Sequence, residues 1–218
     1  LTTKAHYAND VSEFFNVITG HSQPSTYENL ITSPRDMRIQ LCNLIRREAE
    51  NARNGIPGGI VIKLNSLQDK EFIDELYAAS QAGVKIKLII RGMCCLRPGR
   101  KGLSENIEVV SIVGEYLEHS RIYYFHNGGD PKVYIGSADA MVRSFDRRIE
   151  SLFLLDDAIL KKQVINNLRF NLKDNVNTYI MQEDGSYSVK ERNGDEPFNI
   201  HTEFYNVTRE VVMDATLF

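Results

Sequence analysis

The chain has 218 residues, which is enough for one sizeable domain with an appendage. Its 42% hydrophobic and 25% charged residues are ordinary for a globular domain, and no apolar run reaches the roughly 18 residues that a membrane span needs. The net charge of -3 argues against general binding of polyanions, and we predict no nucleic-acid partner. The first residue is Leu1 and not Met, which suggests a piece of a longer protein.

The first half of the chain reads as alternating helices and strands. Residues 1–30 lack clear periodicity and are interpreted as the tail of a preceding element with a linker. A helix is predicted from Ser33-Pro34 to Gly55, because proline is favoured at the first helical position and glycine after the last. Strands over 59–64 and 84–90 flank a helix over 70–82, which indicates a parallel pair with a crossover helix.

The second half is richer in strands. Strands are predicted over 107–113, 121–125, 132–135 and 148–155, with a hairpin turn at Asn127-Gly128-Gly129-Asp130. A helix follows over 156–172. The polar end of the chain contains a turn at 184–186 and a predicted helix over 200–213. We therefore expect an α/β fold with a mixed sheet flanked by helices.

The chain divides into three predicted parts. Residues 1–30 are the tail of a preceding domain and a linker, residues 31–176 form the main domain, and residues 177–218 form a C-terminal tail packed on it. The three cysteines have no metal-binding spacing and are too few for a disulfide framework, so reduced thiols are predicted. Reduced thiols predict a cytoplasmic protein, and a peripheral position at the inner membrane stays open.

Basic residues are concentrated in one segment of this acidic chain. Residues 85–148 contain eleven Lys and Arg against seven Asp and Glu, a local charge of +4. Such a distribution favours the focusing of an anion at one site. A solvated loop face is the alternative interpretation.

One histidine stands out by its pattern. His119 and Arg121 form H-x-R, and residues 136–139 form G-S-x-D after a short gap. Residues two apart on a strand share a face. If the strand begins early enough, an imidazole, which can act as acid or base near neutral pH, would therefore lie beside a guanidinium suited to phosphate oxygens. The hydroxyl and amide of Ser137 could reach the same place. The alternatives are a surface histidine and a turn serine.

Arg91 is the second candidate. It follows a buried strand, and ligands of open α/β sheets bind at the carboxyl ends of strands. Phosphate binding and an ion pair are both open interpretations. Asp139 and Arg143 are supporting candidates, although Arg143 could instead pair with a nearby acid. The other histidines share no metal-ligand spacing and are assigned no role: His6, His21, His126 and His201.

The H-x-R and G-S-x-D motifs resemble one half of the H-x-K and G-S-x-N signature of the phospholipase-D-like superfamily. The chain also resembles the C-terminal domain of bacterial polyphosphate kinases of the first family over about residues 25–175. The segments that carry this resemblance, in order, are Leu76-Tyr77-Ala78-Ala79-Ser80-Gln81-Ala82-Gly83-Val84, Ile90-Arg91-Gly92-Met93-Cys94-Cys95-Leu96, Tyr116-Leu117-Glu118-His119-Ser120-Arg121 and Val133-Tyr134-Ile135-Gly136-Ser137-Ala138-Asp139.

The resemblance implies a phospholipase-D-like fold and reversible transfer of the terminal phosphate of ATP to polyphosphate, with Mg²⁺. Arg91 matches an arginine that contacts nucleotide phosphate, and His119 matches a second active-site histidine that binds phosphate and serves as acid or base. Arg121, Ser137, Asp139 and Arg143 would support them. The phosphorylated histidine, the Mg²⁺ sites and the adenine site lie upstream of this sequence, so no metal site is expected within it.

The implied partners are ATP, ADP, polyphosphate, the upstream domains of the same chain, and further copies in a homo-oligomer. The piece alone is expected to be inactive. Two other functions stay open from the residues: half of a phospholipase-D-like phosphodiesterase or nuclease, and a non-catalytic module that binds polyphosphate.

Overall fold

The structure is a computed structural model that describes residues 2–22, 26–203 and 217–218. Within these residues nine strands form one mixed sheet, in the order β1-β7-β6-β5-β2-β3-β4-β8-β9. The strands are β1 (Leu30–Ser33), β2 (Gly59–Leu64), β3 (Lys85–Ile90), β4 (Ile107–Ile112), β5 (Arg121–Phe125), β6 (Lys132–Gly136), β7 (Glu150–Leu154), β8 (Thr178–Met181) and β9 (Tyr187–Val189). The helices are α1 (Ala5–Ile18), α2 (Met37–Arg53), α3 (Lys70–Gln81), α4 (Val142–Asp146), α5 (Ala158–Lys173) and α6 (Ile200–Glu203).

The predicted crossover lies at the centre of the sheet. β2 and β3 are parallel, and α3 connects them, as the sequence pattern predicts. Asp69 caps α3 by accepting the backbone N–H of Phe72 at 3.0 Å. β4 adds a third parallel strand, and β5 lies antiparallel on the other side of β2. The mixed α/β sheet is therefore confirmed.

Two hydrophobic cores cover the two faces of the sheet. Alternate residues of the central strands point to opposite faces, so Ile60 and Ile62 pack with α2 and α3, whereas Val61 packs toward α5. Phe72 and Tyr123 anchor the first core. Leu168 and Ile165 of α5 anchor the second core. Helices thus flank the sheet on both faces, as predicted.

The start of the chain contains two elements that the sequence pattern did not indicate, and the helix predicted from Pro34 begins later. Residues 5–18 form α1, where Tyr7 and Asp10 are buried and Asp10 accepts the backbone N–H of Asn29. Residues 30–33 form a strand, and α2 begins at Met37 rather than at Pro34. The strand β1 is stabilised by pairing with β7, more than 100 residues later, which a local pattern cannot show.

The end of the chain is more ordered than its polar composition suggests. β8 pairs with β4 and β9 pairs with β8, so the sheet extends past residue 176. The predicted turn at 184–186 connects these two strands. Only the first turn of the predicted helix over 200–213 can be assessed, as α6, because residues 204–216 lie outside the described residues. The boundaries near residues 30 and 176 stay predictions.

The cysteines are free thiols, as predicted. Cys42 is buried in the first core, and burial raises the pKa of its thiol to about 12. Cys95 is exposed.

Gly136, where β6 meets β7, requires the absence of a side chain. A Cβ at this position would lie 2.0 Å from the backbone oxygen of Ser151, which is closer than atoms can approach. We therefore expect Gly136→Ala to lower the free energy of unfolding by about 2 kcal/mol, since overpacking costs about 1–3 kcal/mol. Urea denaturation measures this change. The neighbouring exposed Ser137→Ala is the control, and an equal loss in both variants would contradict the prediction.

Candidate active site

The candidate residues meet at one edge of the central sheet. β2 and β3 are parallel and in register, so the residues after Leu64 and Ile90 leave the sheet together. β5 runs antiparallel to β2 and begins at this edge with Arg121. The topology therefore brings Arg91 and Arg121 to the carboxyl ends of the parallel strands, where ligands of such sheets bind.

A buried carboxylate connects the two arginines. Asp139 accepts hydrogen bonds from Nε and Nη2 of Arg121 at 3.4 and 3.3 Å, and from the backbone N–H of Asn65 at 2.8 Å. The side-chain oxygen of Asn65 in turn accepts a hydrogen bond from Nε of Arg91 at 2.5 Å. Asp139 thus orients the guanidinium of Arg121, and Asn65 orients that of Arg91, whose two terminal nitrogens have no hydrogen-bond partner among the described residues.

His119 lies beside Arg121, but the backbone differs from the prediction. β5 begins at Arg121, so His119 is not part of a strand and strand alternation does not account for the contact. Nη1 of Arg121 instead lies 3.0 Å from Nδ1 of His119 and donates to its backbone oxygen at 3.1 Å. The imidazole is exposed at the edge of the network, where a ligand can reach it.

Arg91 borders a small open cavity. The cavity has a volume of about 280 Å³ and is lined by Arg91, Gly92, Ser111, Val113, Tyr179 and Tyr187. Gly92 packs closely against the backbone of Asn65, because a Cβ on Gly92 would lie 2.7 Å from the backbone oxygen of Asn65. Tyrosine hydroxyls and the guanidinium are all hydrogen-bond donors, which suits phosphate oxygens.

Lys63 is a charged residue of this site that sequence reasoning missed. Its ammonium is almost completely buried, pairs with Glu118 at 2.8 Å and donates to the hydroxyl of Ser120 at 2.7 Å. Burial lowers the pKa of Lys63; Glu118 opposes this shift, and Arg91 and Arg121 add to it. A lysine inside the apolar run Gly59–Leu64 was the available signal, because lysine is rarely buried without a partner.

The site carries an excess of positive charge. Lys63, Arg91 and Arg121 face Glu118 and Asp139, so these groups carry three positive charges against two negative ones. Partly buried cations of this kind create a positive field that attracts anions. The arrangement can bind phosphate oxygens and stabilise negative charge that develops on them.

The structure does not bring two of the supporting candidates into this network. Ser137 is exposed, and its backbone N–H and hydroxyl form hydrogen bonds with the backbone of Ser151. The pairing of β6 with β7 accounts for this arrangement, since it uses the groups that were expected to face His119. Arg143 is exposed on α4, a short helix that was not predicted, and its backbone oxygen accepts from Arg147 and Arg148.

The described residues do not fit a metal ion. Within them, no group of three or more His, Cys, Asp and Glu side chains is placed to hold one. The acids at the site, Asp139 and Glu118, are already paired with cations. In the same part of the chain, no helix is long and apolar enough to cross a membrane.

The fold of the sheet matches that of a known class of protein. A phospholipase D family member, Nuc from Salmonella typhimurium, matches 70% of this chain and 96% of its own with a TM-score of 0.52 and 14% identity, which shows a shared fold. The fold is therefore phospholipase-D-like, as expected.

Closer relatives show the family. Residues 30–201 match the model for polyphosphate kinase C-terminal domain 2. The polyphosphate kinase of Porphyromonas gingivalis is 38% identical with a TM-score of 0.90 over 94% of this chain and 32% of that chain. A polyphosphate kinase of Synechocystis sp. is 47% identical over 86% of this chain and 26% of its own length. The chain belongs to the polyphosphate kinase family, and it spans about a quarter of the length of the curated relatives that it matches.

The buried pair of Lys63 and Glu118 predicts a stability effect. Glu118→Ala leaves the ammonium buried without its counter-ion, so we expect the free energy of unfolding to fall by about 3 kcal/mol. Lys63→Met in the same chain removes that charge and should restore at least about 1 kcal/mol. Chemical denaturation of the single and double variants measures both values. Removing the exposed pair of Lys70 and Asp74 is the control and should change nothing measurable; additive losses at Lys63 and Glu118 would contradict the prediction.

The pKa of Lys63 predicts a pH dependence. Its pKa in the folded chain lies below the ordinary 10.5 of the unfolded chain. At a pH between the folded and the unfolded pKa, Lys63 is therefore protonated more often in the unfolded chain than in the folded one. The free energy of unfolding contributed by Lys63 therefore rises with pH toward 10.5 and is lost as the pH falls through the folded value. Urea denaturation of the wild type and Lys63→Met from pH 7 to pH 10 should show a difference that grows in favour of the wild type. A constant difference would contradict it.

Proposed function

We propose that this chain supplies one half of the active site of an ATP–polyphosphate phosphotransferase. One observation carries the proposal: a continuous series of hydrogen bonds joins His119, Arg121, Asp139, Asn65 and Arg91 at the edge where the sheet binds ligands. Membership of the polyphosphate kinase family supports the assignment of substrates, which are ATP or ADP and polyphosphate.

The proposed chemistry follows from the positions of the charges. When the terminal P–O bond of ATP breaks and a bond to a histidine nitrogen forms, ADP leaves with the electron pair, and negative charge develops on the departing oxygen. Arg91 would bind phosphate oxygens through its two terminal nitrogens, and His119 would donate a proton or a hydrogen bond to the departing phosphate. Arg121 would hold His119, while Asp139 orients Arg121, and Asn65 orients Arg91.

The other components lie outside this chain in the proposal. The phosphorylated histidine is assigned to an upstream domain of the same protein. Mg²⁺ accompanies the nucleotide in kinase-type reactions, and we assign its ligands to the upstream domains. We also propose that the full-length protein is a homo-oligomer. We place it in the cytoplasm or peripherally at the inner membrane, because free thiols are usual in a reducing compartment. Ser137 and Arg143 stay proposed supporting residues, with a contribution smaller than that of Arg91.

The decisive experiment replaces Arg91 and His119 separately by Ala in a full-length polyphosphate kinase that carries this sequence as its C-terminal domain. We expect each change to lower ATP-dependent polyphosphate synthesis by about 100-fold or more, because general acid–base and electrostatic groups contribute roughly that much. Incorporation of radioactive phosphate into polymer measures the rate. The matched control is His21→Ala, which removes an exposed imidazole whose Nδ1 lies 2.9 Å from the hydroxyl of nearby Thr19.

Four results would contradict the proposal. Near-normal synthesis by His119→Ala would remove its catalytic role. Robust synthesis by the 218-residue chain alone would show that no upstream half is needed. Hydrolysis of a phosphodiester such as bis(p-nitrophenyl) phosphate, with no polymer formed from ATP, would favour the phosphodiesterase alternative, whereas polyphosphate binding without turnover in the full-length protein would favour a binding module.

A further inference from the structure

The loop that carries His119 needs support from elsewhere in the fold. Residues 113–120 connect β4 to β5 and lie largely exposed, with Leu117 70% exposed. An exposed loop without regular backbone pairing does not by itself hold a side chain in one place. The groups that fix this loop therefore determine where the imidazole lies.

Lys63 holds the residues on both sides of His119. Its ammonium pairs with Oε2 of Glu118 at 2.8 Å and donates to Oγ of Ser120 at 2.7 Å. Lys63 extends from the rigid central strand β2, and its side chain is 2% exposed. The loop is therefore attached to the middle of the sheet immediately before and after the histidine.

His201 holds the other oxygen of the same carboxylate. Its Nε2 lies 3.0 Å from Oε1 of Glu118, and its Nδ1 lies 3.3 Å from the backbone nitrogen of Tyr116. Because the Tyr116 N–H is a donor, Nδ1 must be the acceptor, and the proton of the neutral ring is on Nε2, directed at Glu118. Both hydrogen bonds are satisfied by this one tautomer. The loop packs tightly here, since a Cβ on Gly114 would lie 2.7 Å from Nδ1 of His201.

The position of His201 is itself fixed by the end of α5. The buried carboxylate of Asp174 accepts the backbone N–H of Asn177 at 2.7 Å and that of Ile200 at 2.9 Å. Asn199 accepts the backbone N–H of His201 at 3.0 Å. These bonds join α6 to the segment that leads into β8, so α6 is not free to move away from the loop.

We propose that Lys63, Glu118 and His201 are positioning residues that fix the loop carrying His119, so that the C-terminal segment completes the phosphate site. The proposal rests on the proposed function, because it concerns the same reaction. These three side chains do not touch substrate. They act through the backbone of residues 116–120, and their loss moves the imidazole without removing it.

The test separates the two hydrogen bonds of His201 in the full-length protein described above. In His201→Gln the side-chain amide can still donate to Glu118 but no longer accepts the hydrogen bond from the Tyr116 N–H. In His201→Asn the shorter side chain can accept from Tyr116 but does not reach Glu118. We expect kcat to fall about 10- to 100-fold in His201→Ala and His201→Asn, since a displacement of about 1 Å at a catalytic group costs that much. His201→Gln should retain most of the activity, and KM for ATP should change less than twofold in all three.

A control separates positioning from general destabilisation. Ile165→Val in the second core lowers stability without touching the loop, so its kcat should stay near the wild-type value even where its melting temperature matches that of His201→Ala. Equal activity of His201→Gln and His201→Asn, or a kcat for His201→Ala within twofold of wild type, would overturn the inference. If Arg91→Ala and His119→Ala also leave synthesis intact, the proposed function fails instead.

Discussion

The site depends on the buried carboxylate of Asp139. It lies on the segment after β6, yet it accepts hydrogen bonds from the backbone N–H of Asn65, which follows β2, and from the guanidinium of Arg121, which begins β5. A buried carboxylate requires such partners, because an unpaired charge in the interior is costly. Satisfying that requirement brings β2, β5 and the segment after β6 together at one edge. The orientation of Arg121 and, through Asn65, of Arg91 follows from the same constraint.

A second buried charge, on Lys63, links this edge to the end of the chain. Its pairing with Glu118 continues to His201, and Asp174 holds α6 in place. The two systems lie on either side of His119: Arg121 contacts its ring, and Lys63 contacts the residues that flank it. A histidine in an exposed loop is thereby held by two sets of interactions. Pre-organisation of this kind lowers the cost of reorganisation during phosphoryl transfer.

The local patterns predicted most elements because their cause is local. The crossover β2-α3-β3 and the hairpin of β5 and β6 follow from apolar periodicity, a helix cap and turn residues. The missed elements depend on distant partners: β1 pairs with β7, and β8 pairs with β4. The same distinction holds for the site. His119 and Arg121 are two residues apart and were found by motif, whereas Lys63 and His201 are separated from Glu118 by 55 and 83 positions and have no shared pattern.

The sequence by itself determined the α/β alternation, the candidate residues Arg91, His119, Arg121 and Asp139, and the resemblance to a polyphosphate kinase domain. Only the tertiary structure decided which of these residues meet. His119 lies before β5 rather than on it, and the hydroxyl of Ser137 accepts a hydrogen bond from the backbone of Ser151 in β7. The physical reason is that periodicity and motifs encode interactions between near neighbours, while buried charges select partners by their position in space. The partners of Lys63 and Asp139 are therefore visible only after the sheet has formed.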